Sequence, residues 1–272
     1  MVRKTFGIYS EDLSDCDLFI ETGREYISCW CKNHQTKLVK AFELFDFAET
    51  NINDFENLLN SIRSDSRLLT AEFEKAYCIW GHKECVCIPQ EFYKDEIAVP
   101  YMEMNFGECD EAKFCKDTIN DCVTLGLIPT KILAEYSKRH TISSNVHKYY
   151  QLLKGQYTDN SGNKLHLVFY HTHLIISVFK EGNLQLIQNF SYKIPADVLY
   201  YVLNIFNAYE LPLNETLVHA SGMIDTASPL YGTLRAYINH FFIEPADKNL
   251  FEAEIFQNYP LHYFFSFCQY DV

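Results

Sequence analysis

Apolar residues along this chain come in short runs separated by turn residues. Leu18-Phe19-Ile20, Ile27-Ser28-Cys29-Trp30 and Leu38-Val39 with Phe42 are each too short for a helix and read as three strands. Thr22-Gly23 and Asn33-His34 supply the turns between them. The pattern returns in the second half as Leu167-Val168-Phe169, Ile176-Ser177-Val178-Phe179, and Leu186-Ile187 with Phe190. Its turns fall at His171-Thr172 and Glu181-Gly182-Asn183. One constant offset, setting Leu18 on Leu167, aligns the first two strands, and the third follows a turn one residue shorter. In each half the period then changes from strand-like to helical. Phe55, Leu58, Leu59 and Ile62 form one stripe, with Asn53 as its cap and Glu56 three residues later. Val198, Val202, Ile205 and Phe206 form the other, with Pro195 in the first turn. A further strand closes each copy, Ala76-Tyr77-Cys78-Ile79-Trp80-Gly81 in one and Leu217-Val218-His219-Ala220-Ser221-Gly222 in the other. The order β-β-β-α-β thus occurs twice, which predicts an internal duplication.

Between the copies, Cys85 to Ile88 reads as a strand ended by Pro89, with a short helix around Phe92. Ile119 to Leu127 reads as a strand, and Pro129 to Lys138 as a helix. The polar stretch 155–163, with Gly155 and Gly162, is the expected boundary, giving lobes 1–154 and 155–272. Ser228-Pro229 starts a last helix with Leu230, Leu234 and Ile238 on one face.

Composition narrows the class of function. With 48% hydrophobic and 15% aromatic residues the chain can bury a large core. Its net charge is −13, and the densest basic stretch is only Lys138-Arg139-His140, which argues against nucleic-acid binding. No apolar run reaches the length of a transmembrane helix, and the basic Met1-Val2-Arg3-Lys4 start lacks the apolar stretch of a signal peptide. A cytosolic protein without membrane insertion is expected, and its ten cysteines are then expected as reduced thiols.

Three strands, a helix and a strand, given twice, resemble the plan of the actin-like ATPases, with two RNase-H-type lobes. The second half resembles an uncharacterised bacterial family of unknown function assigned to that fold. The resembling residues are Asn189-Phe190-Ser191-Tyr192, Asp197-Val198-Leu199-Tyr200-Tyr201, and Ala220-Ser221-Gly222 through Ser228-Pro229-Leu230-Tyr231. Cys87-Ile88-Pro89 with Phe92 is similar to the family's first half. The resemblance implies a duplicated actin-like α/β fold, with mixed sheets of five-stranded type and flanking helices around a cleft. It implies no activity.

Actin-like ATPases hold phosphates on one hairpin per lobe, each with an acid near the end of its first strand and a glycine in the turn. Ile20-Glu21-Thr22-Gly23 resembles this, with Glu21 where Asp is usual, although an ordinary hairpin turn containing glycine accounts for it more readily. In the second lobe Phe169-Tyr170-His171-Thr172-His173 offers neither acid nor glycine. Ser221-Gly222 partly matches the glycine pair that admits adenosine, and Gly222 also suits the start of a loop. Glu21, Thr22, Gly23, Ser221 and Gly222 are therefore expected as a vestigial nucleotide site. The expected protein is a non-enzymatic scaffold with a protein partner and no cofactor. The alternative is an ATP-binding protein with unconventional phosphate ligands and Mg²⁺.

Other chemistry is weaker in the pattern. Cys29-Trp30-Cys31 and Cys85-Val86-Cys87 put two thiols on one face of a strand, but the spacing is too short for usual zinc sites, so packing is expected. Cys109, Cys115 and Cys122 show no ligand spacing, and His171-Thr172-His173 with His166 reads as turn histidines rather than a metal set. The aromatic tail Tyr259-Pro260-Leu261-His262-Tyr263-Phe264-Phe265-Ser266-Phe267 is expected to cover core.

Overall fold

The computed structural model describes residues 2–48, 54–108, 113–157 and 162–268. The expected cap Asn53, Cys109, and residues 158–161 of the expected boundary lie outside the described residues. The chain divides into two compact units, Met1–Leu153 with Lys248–Asn258, and Lys154–Asp247 with Tyr259–Val272. A single cut near residue 154 does not separate them, because Lys248–Asn258 rejoins the first. A parallel bridge between Val39 and Phe251 ties that segment in, along with the Glu252 N–H donated to the Val39 carbonyl at 3.2 Å and an ion pair between Lys40 and Glu252.

The first unit is built on β1 (Arg3–Tyr9), β2 (Cys16–Thr22), β3 (Tyr26–Asn33), β4 (Val39–Asp46), α1 (Phe55–Asp65) and β5 (Ala76–Trp80). Its large sheet has the order β1-β4-β3-β2-β5-β9, where β9 is Ile142–His147. β2 to β4 form an antiparallel meander, while β5 and β9 run parallel to β2. Leu18 and Ile20 of β2, with Ile27, Cys29 and Cys31 of β3, pack against Phe55, Leu59 and Ile62 of α1 in one core cluster. On the opposite face Phe19 stacks between Trp30 and Tyr77 at centroid separations of 5.4 and 5.0 Å.

Between β5 and β9 lies a small layer not foreseen as such. β6 (Cys85–Pro89), β7 (Lys113–Ile119) and β8 (Cys122–Ile128) form a three-stranded antiparallel sheet, and α2 (Ala98–Phe106) packs on it. The expected strand over Ile119 to Leu127 is β8 from Cys122 onward, and its first residues form the β7–β8 turn. Asn120 turns the chain with φ 49°, so Ile119 ends one strand and Cys122 begins the next. α3 (Thr130–Ser137) follows as expected, and α4 (Lys148–Gln156) begins directly after β9.

The second unit repeats the plan. β10 (Lys164–Phe169), β11 (His173–Lys180), β12 (Asn183–Ser191), α5 (Pro195–Ala208) and β13 (Leu217–Gly222) are followed by α6 (Pro229–Tyr237) and β14 (Phe241–Ile243). The sheet order β12-β11-β10-β13-β14 matches β4-β3-β2-β5-β9 strand for strand. Asp197 starts α5 by accepting the N–H groups of Lys193 and Ile194 at 2.9 and 3.1 Å, and Ser228 caps α6 through the Tyr231 N–H at 3.2 Å. The short α7 (Ala253–Phe256) belongs to the first unit. In α8 (His262–Cys268), Phe264, Phe267 and Cys268 are buried, and the helix packs beside β13.

The repeat holds in topology but not at the expected offset. Gly23 N–H to Tyr26 C=O closes the first hairpin, and Tyr170 N–H to His173 C=O closes the second. Position 23 therefore corresponds to 170, a displacement of 147, and Leu18 meets Leu165 rather than Leu167. A slip of two residues keeps every side chain on its own face, which is why the hydrophobic pattern alone tolerates it.

Candidate functional site

Glu21 sits one residue before the end of β2, and strand alternation turns it away from the α1 core. It is fully buried. Its Oε1 accepts the Tyr26 hydroxyl at 2.6 Å, and its Oε2 accepts the Lys148 ammonium at 2.8 Å. Lys148, the first residue of α4, is also fully buried and donates to Gln151 Oε1 at 2.8 Å, one helical turn later. A buried carboxylate and ammonium are thus paired in contact, with neutral hydrogen-bonding groups completing the arrangement.

Tyr26 explains the neighbouring glycines. A Cβ at Gly23 would run into the Tyr26 ring, and one at Gly81, just past β5, would run into its hydroxyl and approach Glu21 Oε1 at 3.5 Å. Neither glycine has a positive φ, so what they supply is room. Thr22 faces the other way, its Oγ1 sharing a buried 2.7 Å hydrogen bond with the Tyr136 hydroxyl of α3. Burial holds that phenol well above its usual range.

In the second unit Val168 stands where Glu21 does and Tyr170 where Gly23 does. Tyr170 and His173 stack face to face at 4.4 Å and 7°, and Phe267 of α8 meets Tyr170 edge-on at 5.4 Å. Burial lowers the His173 imidazole to about 4. Gly222 ends β13 with φ 79°, and a Cβ there would run into the Phe169 backbone carbonyl, which accepts the Met223 N–H at 2.8 Å. Gly222 is thus required by local backbone approach. Ser221 is buried opposite Val168 in the parallel β10–β13 register.

Of the five expected site residues, Glu21, Thr22 and Gly23 lie together at the first hairpin, and Ser221 and Gly222 lie at the end of β13 in the other unit. The pattern did not disclose Tyr26, Lys148 or Gln151. Tyr26 was within reach, since a tyrosine five residues beyond an acid across a tight turn returns to that acid. Lys148, more than a hundred residues away, carried no signal.

The cysteine pairs lie in packed surroundings. Cys29 and Cys31 share the first core with Cys16 and Cys78. Burial pushes the Cys29 thiol up and the Cys78 thiol to about 12. Cys85, Cys87, Cys115 and Cys122 share one face of the three-stranded sheet, where burial raises Cys85 and takes Cys115 to about 12. The His147 ring sits over Gly126 on that face. His166 stacks on His219 at 5.5 Å in the adjacent strand. Among the described residues no group of three or more His, Cys, Asp or Glu side chains is placed to hold a metal, and no helix is long and apolar enough to cross a membrane.

Comparison with solved structures identifies the fold. A Bacteroides thetaiotaomicron protein of unknown function with an actin-like ATPase fold matches with a TM-score of 0.67 at 17% identity, covering 89% of this chain and 94% of its own. A chain of the PilM–PilN type IV pilus biogenesis complex matches with a TM-score of 0.57 at 10% identity, covering 94% and 97%. The fold is actin-like. Comparison with curated proteins gives no match. The sequence model described as "Protein of unknown function (DUF3822)" matches residues 8–241, and the chain belongs to that family.

Proposed function

We propose that the chain is a protein-binding scaffold on an actin-like fold whose phosphate-holding hairpins are occupied by its own side chains. The observation that carries this reading is the Tyr26–Glu21–Lys148 arrangement. A carboxylate that positions Mg²⁺ needs oxygen lone pairs open to the ion and its water. Here a phenol and an ammonium already donate to the two oxygens of Glu21, and the Tyr26 ring fills the space beside Gly23 that a phosphate would take. The stacked Tyr170 and His173 occupy the corresponding turn in the second unit. The reading assigns no catalytic residue, no resident metal and no cofactor, and it places the protein in the cytosol with a protein partner. The pilus complex offers a parallel, since it joins PilM to PilN.

Each charge-assisted hydrogen bond to a phosphate is worth roughly 1.5–3 kcal/mol, so losing several removes micromolar affinity. Isothermal titration calorimetry of Mg-ATP into the purified protein should give no heat of binding. A micromolar Kd would sink the scaffold reading in favour of ATP binding through Glu21, Gly23 and Gly222.

A further inference from the structure

The helix α2 is apolar on two opposite sides. Ala98 and Met102 point inward with Leu125 of β8, and Phe106 packs partly against the same cluster. One helical turn apart on the outer side stand Pro100, Tyr101 and Met104, all exposed, with Met104 keeping 75% of its surface in solvent. Phe92, in the 3-10 turn before the helix, is 64% exposed. An apolar outer face on a helix that already buries its inner one is unusual for a solvated surface, and aromatic and methionine side chains are what protein interfaces place at their centres.

Charge selects what can cover this face. Across 90–108 the acidic residues are Glu91, Asp95, Glu96, Glu103 and Glu108, against one base, Lys94. Lys116 of β7 answers Asp95 at 2.8 Å. The other four carboxylates are exposed and make no ion pair among the described residues. A second copy would bring the same carboxylates against them, and an anionic bilayer would be repelled. A partner segment with apolar anchors and flanking lysines or arginines satisfies both the apolar ridge and its rim.

We propose that the outer face of α2, centred on Tyr101 and Met104, docks a basic amphipathic helix of a protein partner. Packing a helix across this ridge sets anchors at i, i+3, i+4 and i+7 beside Met104, with cationic side chains falling to Glu96 and Glu103. The inference deepens the scaffold reading by naming a surface and the chemistry of what it holds.

The test uses the whole chain and two labelled peptides of about 20 residues, long enough for several helical turns. Both carry leucine at i, i+3, i+4 and i+7, with lysine at the remaining positions in one and glutamate in the other. Fluorescence anisotropy should show the lysine peptide binding at least about tenfold tighter, with affinity falling as salt rises. The double variant Tyr101→Ser/Met104→Ser should weaken it about tenfold or more, and Glu96→Lys/Glu103→Lys should reverse the preference between peptides. Equal binding of both peptides, or binding that survives the serine variant, overturns the inference while leaving the scaffold reading intact. Binding to phosphatidylglycerol vesicles, or self-association abolished by the serine variant, would assign the face to a different occupant and also overturn it. Tight Mg-ATP binding by calorimetry would sink the scaffold reading alone, because the peptide comparison is read independently of nucleotide.

Discussion

Lys148 and Glu21 have no solvent contact, so removing either leaves the other's buried charge without its ion-pair partner. Breaking such a pair from one side costs about 3–5 kcal/mol, whereas removing both charges costs far less. Lys148→Met should therefore lower stability to urea by about that amount, and Glu21→Gln/Lys148→Met should recover most of it. Equal losses in the single and double variants would show that the pair is not the cause. One buried histidine, His147, and two half-buried ones, His82 and His173, add a pH dependence. Desolvation holds His173 and His82 down to about 4 and His147 to about 3. His147 donates from Nε2 to the His82 carbonyl at 2.8 Å and accepts the Tyr149 N–H on Nδ1 at 3.1 Å, so protonation would also cost it an acceptor. Unfolded imidazoles titrate near about 6.5, so the stabilisation from neutral histidines is present above that pH and is lost as pH falls towards 4. The loss is about 1.4 kcal/mol per pH unit for each residue. His173→Phe, which keeps a ring against Tyr170, should flatten the slope of stability against pH by one proton, measured from urea midpoints between pH 4 and 7. An unchanged slope would exclude His173 as a contributor.

The first hairpin can be dissected as an element because two glycines serve one ring. Overpacking a filled site costs about 1–3 kcal/mol, and residues in contact do not contribute additively. Gly23→Ala and Gly81→Ala should each destabilise the protein by about that amount, and should cost much less in a Tyr26→Ala background. Additive losses in thermal melts would mean the glycines are needed for something other than room. The hairpin also shows how far the sequence pattern reaches. Turns at Gly23 and Glu181-Gly182, the Pro195 and Ser228-Pro229 helix starts, and the strand triplets were legible, because turn chemistry and period-2 runs are local signals. Candidate residues Glu21 and Gly23 were legible for the same reason. Their partners were not, since Lys148 reaches Glu21 only once β9 has brought α4 to the sheet. The β8 strand was started too early, at Ile119, because Asn120-Asp121 lacks the glycine that usually marks a tight turn, although Asn120 itself adopts the left-handed conformation.

Across the whole molecule the duplication was legible because each copy carries its own hydrophobic code, and the matched sheet orders follow from it. The division of the chain was not, because Lys248–Asn258 has no periodicity of its own. Its place is set by contacts more than two hundred residues apart in sequence, the Val39–Phe251 bridge and the Lys40–Glu252 pair. That return has a consequence for how the protein is made. A ribosome finishes Leu153 long before Asn258, and at about 5–20 residues per second the intervening stretch takes roughly 5–20 s to emerge. For that interval the start of β4 lacks Phe251 and Glu252, so the nascent first unit waits with an uncovered strand end until those residues have emerged.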